Sequence, residues 1–570
     1  MRPYVTYTAW ALRCRSDTLG NVRASICGTA TGKVPTLFFP HITTEKQPLA
    51  GIRAANNETM KRIHLSFRAW LVSLAALLAA LPACADVTLD QLYFYEVDGG
   101  YCVIKKSGAT LKGALVIPDT YNGKPVVEIG RSAFYYCSGL TSVTIPDGVT
   151  TIGDNAFRNC RGLTSVHIGD GVTTIGSSAF SSCSGLTSIT IPDAVTTIGD
   201  WAFLGCSGLK SITIPDRVTT IGERAFCGCS GLTSITIPDG VMAIGDWAFY
   251  KCSGLTQIEV SGANTAYSSI DGVLYNKAKD TILCCPGGRQ GAFSIPDAVT
   301  TIGNEAFCGC SGLTSITIPE TVTTIEICAF SGCSGLSQCS GLSQIEVNEA
   351  NTAYCSVDGV LYDKTKNTIL CCPQGRQGEF SIPDGVTSIG NNAFAYCSGL
   401  TSVIIPDTVT TIGEDAFYQC HGLTSITIPD AVTTIGGGAF SGCSGLTSVH
   451  IGDGVTIIGD YAFADCSGLT SVHIGNGVTT IENNAFENCS RLTSITIPET
   501  VTTIEVGAFA WSDELEQITC YATTPPRIFD SFYEDATLYV PEDAVEAYRQ
   551  HEKWGEIQNI IGIVPAKNVK

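Results

Sequence analysis

The chain has 570 residues, 27 cysteines and a formal net charge of −20 at pH 7. The acidic excess lies from Asp86 onward, because residues 1–85 carry more Lys and Arg than Asp and Glu. Such a surface repels phosphate backbones and anionic bilayers, which excludes nucleic acid as a partner and suits basic or neutral ones.

Residues 1–59 show no sustained apolar periodicity and no repeat character. They read as an untranslated or non-structural extension. Residues 60–85 have the three parts of a secretory signal peptide. Lys61, Arg62 and Arg68 form a basic region, and Trp70 to Leu81 is an uncharged apolar run of twelve residues. Ala83-Cys84-Ala85 then supplies small residues for cleavage after Ala85. Leu81-Pro82-Ala83-Cys84 also resembles a lipobox, which would lipidate Cys84. The apolar run is short of the ~20 residues a membrane span needs. No transmembrane span is therefore expected once the signal is removed, and the location implied is secreted or cell-surface.

Residues 86–136 read as a strand-rich N-terminal cap. Residues 137–520 read as an array with a 23-residue period, C-S-G-L-T-S-I-T-I-P-D-x-V-T-T-I-G-x-x-A-F-x-x. The leading cysteine falls at Cys137, Cys160, Cys183, Cys206, Cys229 and Cys252, and the spacing resumes through Cys397 to Cys489. An Ala-Phe pair four residues after an Ile recurs fourteen times, from Ala133-Phe134 to Ala508-Phe509. A period of 20–29 residues with Leu at fixed offsets marks a leucine-rich-repeat solenoid. Alternation sends Ile189 and Ile191 to one face of a strand and Ser188 and Thr190 to the other. Pro192 ends that strand, since it has no N–H to donate. Val195 and Ile198 return to the core. Gly199 allows a bend, and Ala202-Phe203 is expected on a short helical or irregular convex turn. One strand per coil is expected, with strands of successive coils stacked in parallel. No coil buries its apolar side alone, so the stack supplies the core. A mid-array change such as Phe249→Ala is expected to cost about 3–5 kcal/mol.

Two longer units, near 258–296 and 345–383, resemble each other. In each, a D-G pair (Asp271-Gly272, Asp358-Gly359) precedes the triad V-L-Y, which predicts a small hairpin or a bulged excursion from the stack. Ser337 to Leu342 duplicates part of one coil. Residues 521–570 read as a C-terminal cap with one helix near Glu542–Lys553.

The unit C-S-G-L-T-S-I-T-I-P-D-G-V, the I-G-x-x-A-F turn, the I-D-G-V-L-Y-N-K module and the closing L-Y-V-P-E-D-A-V-E-A-Y segment resemble those of BspA-like leucine-rich-repeat surface proteins. The resemblance spans roughly residues 87–564. It implies a cell-surface or secreted protein, adhesin-like, with no catalytic motif.

Candidate binding residues are the outward Ser and Thr of successive strands: Ser188, Thr190, Ser211, Thr213, Ser234 and Thr236. His450 and His473 take the same outward position one coil apart, as does His167. The cysteine ladder reads as small apolar filling, the alternatives being stacked disulfides or zinc. The recurrent Asp147, Asp170, Asp193, Asp216 and Asp239 read as Asx-type turn residues, the alternative being calcium. No triad, phosphate loop or paired catalytic carboxylates stand out, so no enzyme activity and no cofactor or metal is expected. The function implied is recognition of an extracellular protein or glycan through the repeat sheet. The alternatives are a structural envelope protein without a specific ligand and a non-catalytic binding subunit for a separate enzyme.

Overall fold

The computed structural model describes residues 86–330, 341–530, 532 and 535–563. The signal-like segment with Cys84 and Ala85, and most of the duplicated stretch from Ser337, lie outside them.

A regular coil has two strands. In the coil headed by Cys183, Ser188–Thr190 forms the first and Thr197–Ile198 the second. Both pair in parallel with the next coil at a 23-residue offset: Ile189 with Ile212, and Ile198 with Ile221. The expected single strand per coil is thus corrected to two, giving a first ladder and a second, two-residue ladder. The Ala-Phe segment is a turn. Among the described residues the only α-helix is Val545–Gln550, in the C-terminal segment. The turn edges still bond coil to coil, as Phe180 N–H to the Ala202 carbonyl at 2.8 Å and Ser178 N–H to the Asp200 carbonyl at 2.7 Å.

Alternation decides what each strand buries. Ile189 is buried between exposed Ser188 and Thr190. The phenylalanines form a column: Phe157, Phe180, Phe203 and Phe226 stack at 5.4, 5.6 and 5.5 Å, nearly parallel. Threonine contributes more than strand preference. Thr164 Oγ1 donates to the Thr141 carbonyl one coil back at 2.9 Å, and Thr173 Oγ1 to Thr150 at 3.2 Å.

The ends are closed by non-repeating pieces. Leu92–Val97 pairs antiparallel with Gly100–Lys105, which starts the second ladder beside Lys124–Ile129. At the other end the aromatic column runs through Phe509 and Phe532 onto Trp554, which is fully buried. Its Nε1 donates to the Pro526 carbonyl at 2.9 Å.

Each long unit is a three-stranded antiparallel meander. In the first, Tyr267–Ile270, Val273–Asn276 and Thr281–Cys284 pair in sequence, and the last joins Thr301–Ile302 in parallel. The turn between the first two strands is Asp271-Gly272, with φ of 54° and 75°. Positive φ at both central residues is what a tight two-residue hairpin requires. Asp358 and Gly359 repeat it at 49° and 74°. The central strand faces two ways. Leu274 packs with the coils before it, whereas Val273 and Tyr275 pack with the coils after it. Leu361 against Val360 and Tyr362 repeats the arrangement, so the apolar interior divides into three stretches.

A buried asparagine anchors each meander. Asn264 Nδ2 donates to the carbonyls of Pro238 and Val241 at 2.7 and 2.9 Å, and its Oδ1 accepts from the N–H groups of Ala266 and Tyr267. Asn351 makes the same four bonds. Removing such a side chain strands several backbone groups away from water. Asn264→Ala is expected to lower stability by about 2–3 kcal/mol. Urea unfolding followed by circular dichroism measures it. A loss no larger than that of an exposed Ser188→Ala change would reject the anchor.

Candidate functional site

The first ladder carries the candidate face. Ser188 stands beside Ser211 and Thr190 beside Thr213, all four exposed. Ser234 and Thr236 are exposed as well, but their strand pairs forward with Gln257 and Glu259, in a separate sheet from Ser211–Thr213. The outward rows therefore form short registered blocks of hydroxyls, and the row after Ser234 and Thr236 is amide and carboxylate at Gln257 and Glu259. His450 and His473 are in register and exposed, with rings stacked at 4.4 Å and 3° apart in plane. Thr427 flanks His450, and His167 stands beside Thr144 in the sheet that also holds Ser188 and Ser211. Among the described residues no group of three or more His, Cys, Asp or Glu is placed to hold a metal ion.

The acidic residues after the strand do not act only within their own turn. Asp147 Oδ1 accepts from the Asp170 N–H one coil on at 3.0 Å. Asp430 to Asp453 and Asp453 to Asn476 repeat this at 2.9 and 2.7 Å. The coil that donates the N–H in each case has Gly in the proline slot: Gly169, Gly452, Gly475. A second acidic column at the turn edge does the same, as Asp200 Oδ1 with the Glu223 N–H at 2.8 Å. The Asx-turn reading is corrected at Asp147, whose carboxylate bridges coils.

A model of the BspA type leucine-rich repeat region matches six copies, over residues 127–256, 289–357, 373–489 and 410–536, which is more than half of the chain. The chain belongs to the BspA-type leucine-rich-repeat family. Solved leucine-rich-repeat structures are similar to it. A leucine-rich cell surface protein of Faecalibacterium prausnitzii is 29% identical, over 78% of this chain and 96% of that one, with a TM-score of 0.37. A leucine-rich repeat protein from Bacteroides ovatus is 27% identical, over 84% of this chain and 100% of that one, with a TM-score of 0.32. A search of curated proteins gave no match.

Two features of this BspA-type array escape a reading of the repeat alone. The first is what the ladder cysteines do. Most are more than apolar filling, because the thiol donates to the phenylalanine carbonyl 26 residues back. Cys206 Sγ reaches the Phe180 carbonyl at 3.1 Å, and Cys420 the Phe394 carbonyl at 3.0 Å. In the coil where Ser512 takes the slot, its Oγ donates to the Phe486 carbonyl at 3.0 Å. Cys206, Cys252 and Cys420 form no disulfide. Burial raises the Cys206 and Cys252 thiols to about 12. They stay protonated and able to donate at neutral pH.

The second is a pair of left-handed backbone positions in each coil. Asn155, Ser178, Trp201, Arg224 and Trp247 occupy one, with φ between 51° and 57°. Asn159, Ser182, Gly205, Gly228 and Lys251 occupy the other. Glycine and asparagine take this conformation readily, whereas a tryptophan there is strained. Three successive coils put Trp, Arg and Trp in that slot. The Arg224 guanidinium lies 4.3 Å from the centre of the Trp247 ring.

Proposed function

We propose that this protein is a recognition protein of the cell surface or exterior, binding a protein or glycan ligand through the first-ladder sheet face. The observation that carries this reading is the registered block of exposed hydroxyls, Ser188 and Thr190 beside Ser211 and Thr213. A flat row of hydroxyls offers donors and acceptors at a fixed spacing, suited to polar backbone or sugar hydroxyls. Solenoids use such extended surfaces for binding. The BspA-type repeat and the signal-like segment at 60–85 support a location outside the cytoplasm. Cleavage after Ala85, or lipidation at Cys84, would complete export. Residues 86–136 and 521–570 serve as caps that keep the terminal coils from pairing edge to edge.

The test titrates the purified protein against matrix proteins, mucins and glycans. Saturable binding to one class is expected. Thr213→Arg with Thr236→Glu should weaken it by about tenfold or more, since one poorly accommodated charge at an interface costs at least ~1.4 kcal/mol. A flat response with concentration-dependent self-association would instead establish a structural envelope role.

A further inference from the structure

The first long unit leaves a cleft in the turn edge. In a regular coil five residues run from the second-ladder isoleucine to the residue that bonds the next alanine carbonyl, as from Ile221 to Phe226, whose N–H reaches Ala248. In the long unit only three do, from Ile282 to Cys285, whose N–H reaches Ala306. The turn edge is thus two residues short, between the coil of Trp247 and the coil of Glu305. The gap is a cavity of about 370 Å³. Its lining residues include aromatic Trp247, Tyr250 and Tyr267 and acidic Asp246, Glu305 and Glu326, with no Lys or Arg.

The walls are held in place. Tyr267 OH accepts from the Ile244 N–H at 3.0 Å, and Glu326 Oε2 accepts from the Asn304 N–H at 2.8 Å. Trp247 and Glu305 sit at matching left-handed positions, each with φ of 55°. The strain of a bulky side chain in that backbone state points to a use for it. The twin long unit has the same shortening, with the Cys372 N–H on the Ala393 carbonyl. There Ile327, Cys328 and Asn392 replace Asp246, Trp247 and Glu305. The gap comes from the fold, whereas the aromatic and acidic lining is particular to the first.

We propose that this cleft binds an arginine side chain from a basic segment of a partner protein. A planar guanidinium stacks on aromatic faces and forks onto carboxylates, and both surfaces meet here. The molecule already pairs these groups beside the cleft. Arg224, from the coil before, lies over Trp247, with Glu223 Oε1 at 3.5 Å from its guanidinium. The cleft offers the same indole and three carboxylates from the side of the coil that follows. The acidity of the whole chain steers a cationic segment towards it.

The experiment is calorimetric titration of the full chain with a hexa-arginine peptide, with hexacitrulline as the neutral isostere. Saturable binding of hexa-arginine and none of hexacitrulline is expected. Trp247→Asn and the pair Asp246→Asn with Glu305→Gln should each weaken binding about tenfold. Asparagine already holds this slot at Asn155, Asn392 and Asn484, so the fold tolerates it. The pair Asp407→Asn with Glu499→Gln removes the same charge elsewhere and should change affinity less than twofold, as should Thr213→Arg on the sheet face. Equal losses in both neutralised pairs would reduce the effect to net charge and overturn the site. So would neutral oligosaccharides that bind and are lost with Trp247→Asn.

Discussion

Raising the pH from 8 to 11 is expected to unfold the array cooperatively, and the ladder thiols set the direction. Burial holds Cys206, Cys252 and Cys489 up to about 12, against 9.0 for an exposed thiol. Cys183, Cys229 and Cys420 are also raised by burial. Below pH 9 folded and unfolded chains both keep these protons, so stability is complete. Between about 9 and about 12 the unfolded chain releases protons that the folded chain retains, and stability falls as pH rises. Each thiol contributes about 1.4 kcal/mol per pH unit. Three of them amount to about 4 kcal/mol per unit, comparable to the whole stability of many domains. Far-UV circular dichroism against pH, under reductant, reads the midpoint. Replacing Cys206, Cys229 and Cys252 by Ser keeps a donor for the phenylalanine carbonyl, as Ser512 does, and removes the ionisation. The midpoint should move to higher pH. An unchanged midpoint would assign the alkaline limit to other groups that titrate there, such as the buried Tyr275 and Tyr362 hydroxyls.

The phenylalanine column carries the second large effect. Phe203 is fully buried and stacked on both sides, against Phe180 and Phe226. Phe203→Ala is expected to cost about 3–5 kcal/mol in urea unfolding, because neither neighbour can close the void. Phe249 was the natural choice from the repeat, and the structure revises its cost downward. It stacks on Phe226 at 6.0 Å and lines the cleft on its other side. Phe249→Ala should therefore cost less than Phe203→Ala. Equal costs would mean that the column plays no part beyond simple burial.

The period and the first ladder were legible because Leu186, Ile189 and Ile191 alternate cleanly with polar residues and Pro192 marks the end. The second ladder was not. Thr197–Ile198 is two residues long, too short for any alternation, and only the stacking of identical pairs makes it a sheet. The left-handed slots gave no signal either, since Trp201, Arg224 and Trp247 are not residues that announce positive φ. The inter-coil role of Asp147 and the donor role of Cys206 depend on partners 23 and 26 residues away in sequence. The cleft was illegible for a like reason. Trp247 and Glu305 lie in consecutive regular coils by geometry but are separated in sequence by a whole long unit.

The two meanders also decide how the molecule would respond to tension. In a uniform solenoid every coil grips its neighbours equally, and a pull on the ends can start a tear anywhere. Here the central strand of each meander wedges Leu274 or Leu361 into one stretch of the interior and its flanking residues into the next. A tear that reaches that strand must extract a separate apolar lining before it can run on. The protein would lengthen in three instalments, with the still-folded sections keeping their outward rows intact while others are drawn out.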